Sequence, residues 1–143
     1  MLLEILLLAA AAPQPAPIPV TPVQGHICQA PLTGMDAAPG ARAALMSDGE
    51  GFVLMLEAKV TRFGPTPVMV DGASVPAVVL NNSDEPDGGS VWVDGKLAER
   101  LAQGTVLDLP FTQPRTRLSL AGVADAMPRL LVCARAQRTT EGG

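Results

Sequence analysis

The chain has 143 residues, of which 48% are hydrophobic and 3% are aromatic, and its formal net charge is -4 at pH 7. This length suits one domain of ordinary size. Three Phe, one Trp and no Tyr are too few for the stacked aromatic platforms that hold single-stranded nucleic acid, and the net negative charge offers no attraction to polyphosphate. We therefore predict no nucleic acid partner and a core built from aliphatic side chains.

The N-terminus carries a run from Leu2 to Ala12 that is apolar except for Glu4. It resembles the hydrophobic stretch and the small-residue cleavage site of a secretory signal peptide. Ala9 and Ala11 are placed for cleavage before Ala12. A run this short cannot cross a hydrocarbon core of about 30 Å, which needs about 20 helical residues, so we predict no transmembrane span. Residues 1–12 are interpreted as a signal-peptide-like leader and the protein as periplasmic or secreted. A buried N-terminal helix is the alternative.

Prolines alternate with other residues directly after the leader, at Pro13, Pro15, Pro17, Pro19 and Pro22. Each proline fixes a backbone angle and removes an amide donor, which favours an extended polyproline II segment. We predict a proline-rich tether over residues 13–24, one domain over 25–138 and a disordered tail over 139–143. A ligand for a proline-reading groove is the alternative use of the tether.

Two cysteines bracket the predicted domain, Cys28 near its start and Cys133 near its end. In an oxidising compartment their simplest use is a disulfide, and closing so long a loop is worth about 4 to 5 kcal/mol on the chain-entropy model. A more specific alternative is a thiol enzyme in which His26, the sole histidine, acts as the base for Cys28. One His and two Cys cannot complete a tetrahedral zinc shell without a carboxylate, so no metal ion or cofactor is predicted.

Short apolar runs bounded by turn residues occupy most of the domain. A hairpin is predicted from Ala41 to Leu56, because apolar runs flank the turn-rich segment 47–51. Its second strand alternates on to Val60, which is typical of a half-buried antiparallel strand. Further strands are predicted at 68–70, 75–80, 90–94 and 105–111.

Two helices complete the pattern. Lys96 to Gln103 has helical propensity, and Gly104 follows as a stop signal. A second helix is predicted from about Ser119, as its N-cap, to Arg135, with a kink at Pro128. Its apolar stripe comprises Leu120, Val123, Met127, Leu131 and Ala134. This order of elements predicts an α+β domain: a mostly antiparallel sheet of about five to six strands, with a short helix near 96–103 and a kinked C-terminal helix near 119–135 packed on one face.

The segment from Leu118 to Met127, which reads LSLAGVADAM, resembles the terminal strand, glycine and alanine-rich helix of a known group. That group comprises small exported alphaproteobacterial proteins similar to the invasion-associated locus B group. The early cysteine and the predicted strand, helix and strand over 91–109 agree with the same layout. The resemblance implies an exported, non-enzymatic domain with a role at the cell envelope, and it implies no catalytic residues.

Two further groups of residues are candidate sites. Arginines make the last third of the chain positive, and four of them predict an anion-facing patch: Arg115, Arg117, Arg129 and Arg135. The alternative is that these arginines are scattered and solvated. Oxygen ligands bunch at Asn82, Asp84, Glu85 and Asp87, which could hold a hard cation such as calcium. The spacing of these ligands differs from the EF-hand template, so a solvated hairpin loop is the favoured interpretation.

Three functions stay open on the sequence alone. The preferred one is an exported binding or envelope-associated domain, not an enzyme, whose partner is a protein or the membrane surface. A small envelope hydrolase or thiol enzyme is the first alternative, and a structural or inhibitor-like module is the second. The sequence contains no glycine-rich phosphate loop, nucleophile elbow or dinucleotide fingerprint, which favours the non-enzymatic interpretation.

Overall fold

The structure is a computed structural model that describes residues 16–35, 41–82 and 88–142. The predicted leader, residues 1–12, lies outside the described residues. Within the described ranges the chain forms thirteen strands and two helices, and the paired strands are antiparallel, which confirms the α+β class. The strands are β1 Thr21–Val23, β2 Ile27–Thr33, β3 Ala41–Ser47, β4 Phe52–Leu56, β5 Lys59–Val60, β6 Gly64–Pro65, β7 Val68–Val70, β8 Ala73–Val75, β9 Val78–Asn81, β10 Gly89–Val93, β11 Val106–Leu109, β12 Thr112–Gln113 and β13 Thr116–Ser119. The helices are α1 Gly95–Gln103 and α2 Val123–Gly142.

The strands of the described ranges form one large sheet and two smaller ones. The large sheet has seven strands in the order β1-β2-β3-β4-β10-β9-β6. A four-stranded sheet has the order β13-β11-β7-β8, and β5 pairs with β12. The strands outnumber the predicted five to six because turns and prolines divide the apolar runs. Pro76, for example, separates β8 from β9 where a single strand over 75–80 was predicted.

The predicted hairpin is confirmed by the pairing of β3 with β4, in which Ser47 lies opposite Phe52. Its turn is closed by side chains rather than by the backbone alone. Gly49 N donates to Ser47 Oγ at 3.1 Å, and Asp48 Oδ1 accepts hydrogen bonds from Glu50 N and Gly51 N at 2.9 and 3.1 Å. β4 ends at Leu56, and the predicted continuation to Val60 is a separate strand, β5, that pairs with β12.

Asp71 and Gly72 form the two-residue turn between β7 and β8, and both lie in the left-handed region with φ of +51° and +83°. Asn, Asp and Gly are the residues that tolerate this conformation, and it matches the twist of a tight hairpin. The Asp71 carboxylate also accepts the backbone N–H groups of Thr105 and Val106, at 3.1 and 2.9 Å. This residue therefore fixes the β7–β8 hairpin against the start of β11.

The second half of the predicted tether packs on the domain. Thr21–Val23 forms β1 at the edge of the large sheet, and Ile18 and Val20 pack against the core. Arg129 Nη2 donates to the Ile18 carbonyl oxygen at 2.7 Å, which fixes this segment to α2. An edge strand accommodates proline because its outer amide needs no ladder partner.

Helix α1 is confirmed close to its predicted bounds. Asp94 caps it, since Asp94 Oδ1 accepts a hydrogen bond from Leu97 N at 2.8 Å. Leu97 and Leu101 are buried, one turn apart, as helical periodicity requires.

The C-terminal helix differs from its prediction at both ends. It begins at Val123, because Ser119 ends β13 and its hydroxyl accepts a hydrogen bond from Ala121 N at 3.2 Å. It runs to Gly142, past the predicted end and through 139–142 of the predicted tail. The chain stays helical across Pro128, so the two halves form one element. The buried stripe includes Leu130 rather than the predicted Leu131. Leu130 follows Met127 by three residues and precedes Ala134 by four, so it shares their face of the helix.

The core is aliphatic, as the composition predicts, with Phe111 as the buried aromatic residue among those described. Gly104 lies within this packing: a Cβ there would be 2.5 Å from Val70 Cγ1 and 3.0 Å from the Arg100 carbonyl oxygen. At Gly95, at the start of the same helix, a Cβ would meet nothing within 4 Å. Gly104 therefore allows the end of α1 to approach β7 closely.

We expect Gly104→Ala to lower the free energy of unfolding by about 1 to 3 kcal/mol, because the new methyl group overpacks a backbone contact. Gly95→Ala, the matched control, should leave it unchanged or raise it by about 0.5 to 1 kcal/mol, since alanine is the better helix former. Urea unfolding of the two variants measures both changes. Equal effects would contradict the close approach at Gly104.

Candidate binding face

Side chains of the large sheet alternate between two faces. One face carries the core, with Leu45, Leu54 and Val91 each no more than 1% exposed. The opposite face is also largely apolar, and we call its apolar members the outer apolar face: Met46, Val53, Met55, Val78, Leu80 and Trp92. Ser90, which pairs with Met55 and Leu80, is a buried polar residue among them. The strand register aligns Met46 with Val53, Val53 with Trp92, and Trp92 with Val78. A continuous apolar row therefore crosses four neighbouring strands, and Pro65 extends it onto β6.

The outer apolar face is open to solvent. Trp92 is 50% exposed, Leu80 40% and Val78 39%, while Met46, Val53 and Met55 are half-buried. An antiparallel sheet with one solvated face normally carries polar residues there. Contiguous exposed apolar surface of this kind marks an interaction site in soluble domains.

A cleft of about 550 Å³ lies at one end of this face, beside the β3–β4 turn. Its lining includes Met46, Val53, Met55, Trp92, Ile27 and Phe52. The charged side chains that line it, within the part of the chain described, are Asp48 and Glu50. The cleft is in the size range of ligand-binding pockets, and it combines an apolar lining with an acidic rim.

Backbone amides stabilise the charged form of Asp48 in the acidic rim. The N–H groups of Glu50 and Gly51 donate to the Asp48 carboxylate and lower the pKa of Asp48 below its ordinary value. Helix α2 holds the β3–β4 turn in place through two arginines. Arg135 Nε donates to the Gly49 carbonyl oxygen at 2.9 Å, and Arg138 Nη1 lies 3.4 Å from Glu50 Oε1. The rim is thus a positioned anionic group beside the apolar cleft.

Prolines lie in both edge strands of the large sheet and next to one edge strand of the four-stranded sheet. Pro22 lies in β1 and Pro65 in β6, the two edge strands of the large sheet, and Pro76 directly follows the edge strand β8. A proline lacks the amide donor that a new strand would need. Recognition by strand addition is therefore disfavoured, and the exposed face is the better candidate.

The predicted disulfide is present. Cys28, on β2, bonds to Cys133, on α2, with 6.1 Å between their Cα atoms. Cys28 is fully buried, and neither cysteine is free. His26 lies in the turn before β2 with a φ of +66°. The thiol that the His26–Cys28 enzyme hypothesis needs is therefore consumed in the disulfide.

The structure places the predicted patch arginines apart: Arg129 and Arg135 lie on α2, Arg117 on β13 and Arg115 just before β13. Arg115 makes two hydrogen bonds to Asp108, at 2.8 and 2.9 Å, which raise the pKa of Arg115. Arg129 pairs with Asp125 at 2.8 Å, and Arg135 binds a backbone carbonyl as described above. Arg117 lies exposed on β13. Three of the four already bind oxygen atoms of the protein, and the anion-facing patch stays a prediction.

The predicted cation loop falls largely outside the described residues, since Asp84, Glu85 and Asp87 are not among them. Asn82 is described, and its backbone N donates to the Gly88 carbonyl oxygen at 3.2 Å. Over residues 16–35, 41–82 and 88–142, no cluster of His, Cys, Asp or Glu could hold a metal ion. In these same ranges, no helix is long and apolar enough to cross a membrane.

Comparisons of the chain with protein-family models, with curated proteins and with solved structures found no match. The resemblance to the invasion-associated locus B group therefore stays a prediction. The outer apolar face was not predicted, although the sequence contains a signal for it. Residues 43–46 and 52–56 are continuous apolar runs rather than alternating ones, which is typical of strands that are covered on both faces.

Proposed function

We propose that this protein is an exported, non-enzymatic domain that binds a partner on its outer apolar face. The observation that carries the proposal is the exposed apolar row on the large sheet, with Trp92 at its centre. Export is supported by the Cys28–Cys133 disulfide, since such bonds persist mainly in oxidising compartments. The leader at residues 1–12 would act as the signal peptide that directs the protein to the periplasm or the medium.

A binding role fits the cleft better than hydrolysis does. A carboxyl group that serves as a general acid needs a raised pKa, so that it keeps its proton near neutral pH. The pKa of Asp48 is lowered instead, because backbone amides stabilise its charged form. Asp48 is therefore suited to attract a cation rather than to serve as a general acid.

Met46→Ser tests the face as a binding surface. We expect it to weaken binding of the neutral apolar dye N-phenylnaphthylamine by about threefold or more, because it removes apolar contact area from the cleft. Fluorescence titration of the dye measures the affinity. Met69→Ser is the matched control, because Met69 is also half-buried but lies on β7 in the four-stranded sheet. Absence of dye binding to the parent protein, or equal weakening by both variants, would contradict the proposal.

A further inference from the structure

We infer that the partner of the outer apolar face is a polypeptide segment in which apolar side chains stand next to a Lys or Arg. Its apolar side chains would lie on Met46, Val53 and Trp92, and its cation beside Asp48. This inference rests on the proposed function, because it specifies the occupant of the same face.

Charge is the first argument for a cationic partner. Both charged side chains lining the cleft are acidic, and they stand at its rim rather than on its apolar floor. Arg138 pairs with Glu50 from the side of α2, and its charge also contributes to lowering the pKa of Asp48. It does not line the cleft, however, and among the described residues Asp48 forms no salt bridge with it. A cation beside Asp48 would add a charge-assisted contact at the edge of an apolar surface, where it is less screened than in bulk water.

The size of the face is the second argument, and it favours a narrow occupant over a second copy of the chain. From Met46 on β3 to Pro65 on β6 the row crosses four inter-strand gaps, or about 19 Å at the usual strand spacing. This row and the shorter second row that contains Met55 and Leu80 together cover an area of no more than about 300 Å², while a stable dimer needs about 800 Å² from each partner. An extended peptide of about six residues matches the length of the row.

The same features disfavour the other occupants. A membrane with anionic lipids would repel Asp48 and Glu50, which stand beside the apolar surface that would have to insert. A strand added to the sheet edge would meet Pro22 or Pro65. A peptide that lies across the strands needs neither a free edge nor a flat lipid surface.

Trp92 provides the readout, since it is the sole Trp in a chain without Tyr and it lies in the cleft. The first probe is acetyl-Ser-Leu-Ser-Leu-Ser-Lys-amide, whose two Leu and Lys share one face when the peptide is extended. The second probe carries Glu in place of Lys. At about 0.01 M salt we expect the Lys peptide to shift Trp92 emission to the blue and to bind about three- to fivefold more tightly than the Glu peptide. At about 1 M salt the preference should fall to near unity.

Asp48→Asn should abolish the preference while preserving the turn, because the Asn side-chain oxygen can still accept the amides of Glu50 and Gly51. Glu99→Gln is the control, since it removes the same charge from the exposed surface of α1, away from the cleft, and should leave the preference intact. Circular dichroism of both variants checks that the fold is retained.

The outcomes separate this inference from the proposed function. If both peptides bind equally, or if Asp48→Asn and Glu99→Gln act alike, the cationic preference is refuted while binding on the face stands. If neither peptide nor the dye perturbs Trp92, both this inference and the proposed function are refuted. A blue shift with vesicles of phosphatidylcholine and phosphatidylglycerol that exceeds the shift with the Lys peptide would overturn the inference in favour of a membrane surface.

Discussion

Replacing Cys28 and Cys133 together with Ala is expected to lower the free energy of unfolding by about 4 to 5 kcal/mol. The bond closes a sequence separation of 105 residues, so its loss returns a large loop-closure entropy to the unfolded chain. It also joins β2 to α2, and thereby the start of the domain to the helix that covers its core. A domain of this size is stable by only about 5 to 15 kcal/mol, so the loss is large.

Guanidinium unfolding of the parent protein, oxidised and reduced, and of the double variant measures this effect. The reduced parent should unfold at the same midpoint as the double variant, because both lack the same cross-link. Intact mass of the protein from the periplasmic fraction, alkylated with and without prior reduction, tests whether the bond forms in the cell. Two alkylated thiols without reduction would contradict the disulfide. Absence of the protein from both the periplasmic fraction and the medium would contradict the proposed export.

Leu130→Ala is expected to cost about 3 to 5 kcal/mol, because Leu130 is fully buried where α2 packs on the sheet. The substitution removes apolar contacts and leaves a cavity, because the packed sheet and helix cannot readily move together to fill it. Val132→Ala on the same helix is the matched control. Val132 is 67% exposed, so its truncation should change the free energy of unfolding by no more than about 0.5 kcal/mol.

Thermal unfolding followed by circular dichroism would compare the two helix variants. A cost below about 1 kcal/mol at Leu130 would mean that α2 does not cover the core as described. A comparable cost at Val132 would mean that this face of α2 is also covered. Because the variants leave the outer apolar face unchanged, dye binding should be retained wherever they remain folded.

Local sequence signals predicted the elements whose ends depend on neighbouring residues. The β3–β4 hairpin was predicted from apolar runs that flank a turn-rich segment. The structure shows that residues of this turn satisfy its own amides, as Asp48 does. Helix α1 was predicted because Leu97 and Leu101 recur at helical spacing before Gly104. The disulfide followed from the number and position of the cysteines together with the leader.

Elements whose ends depend on distant contacts were predicted less well. The start of α2 was placed at Ser119, but pairing with β11 keeps Ser119 in β13. The tether was predicted to be free of the domain through residue 24, but β2 pairs with Thr21–Val23. In both cases a long-range hydrogen-bond ladder outweighs a local preference, and a single sequence does not show where such ladders form.

The sequence by itself determined the composition of the core, the β3–β4 hairpin, the first helix and the pairing of the two cysteines, because these depend on residue type, local spacing and count. Only the tertiary structure decided that β10 lies between β4 and β9, and this placement sets Trp92 beside Val53 and Val78. Strand order is a choice among long-range pairings of similar local energy, which is why the outer apolar face and its acidic rim emerge only in the folded chain.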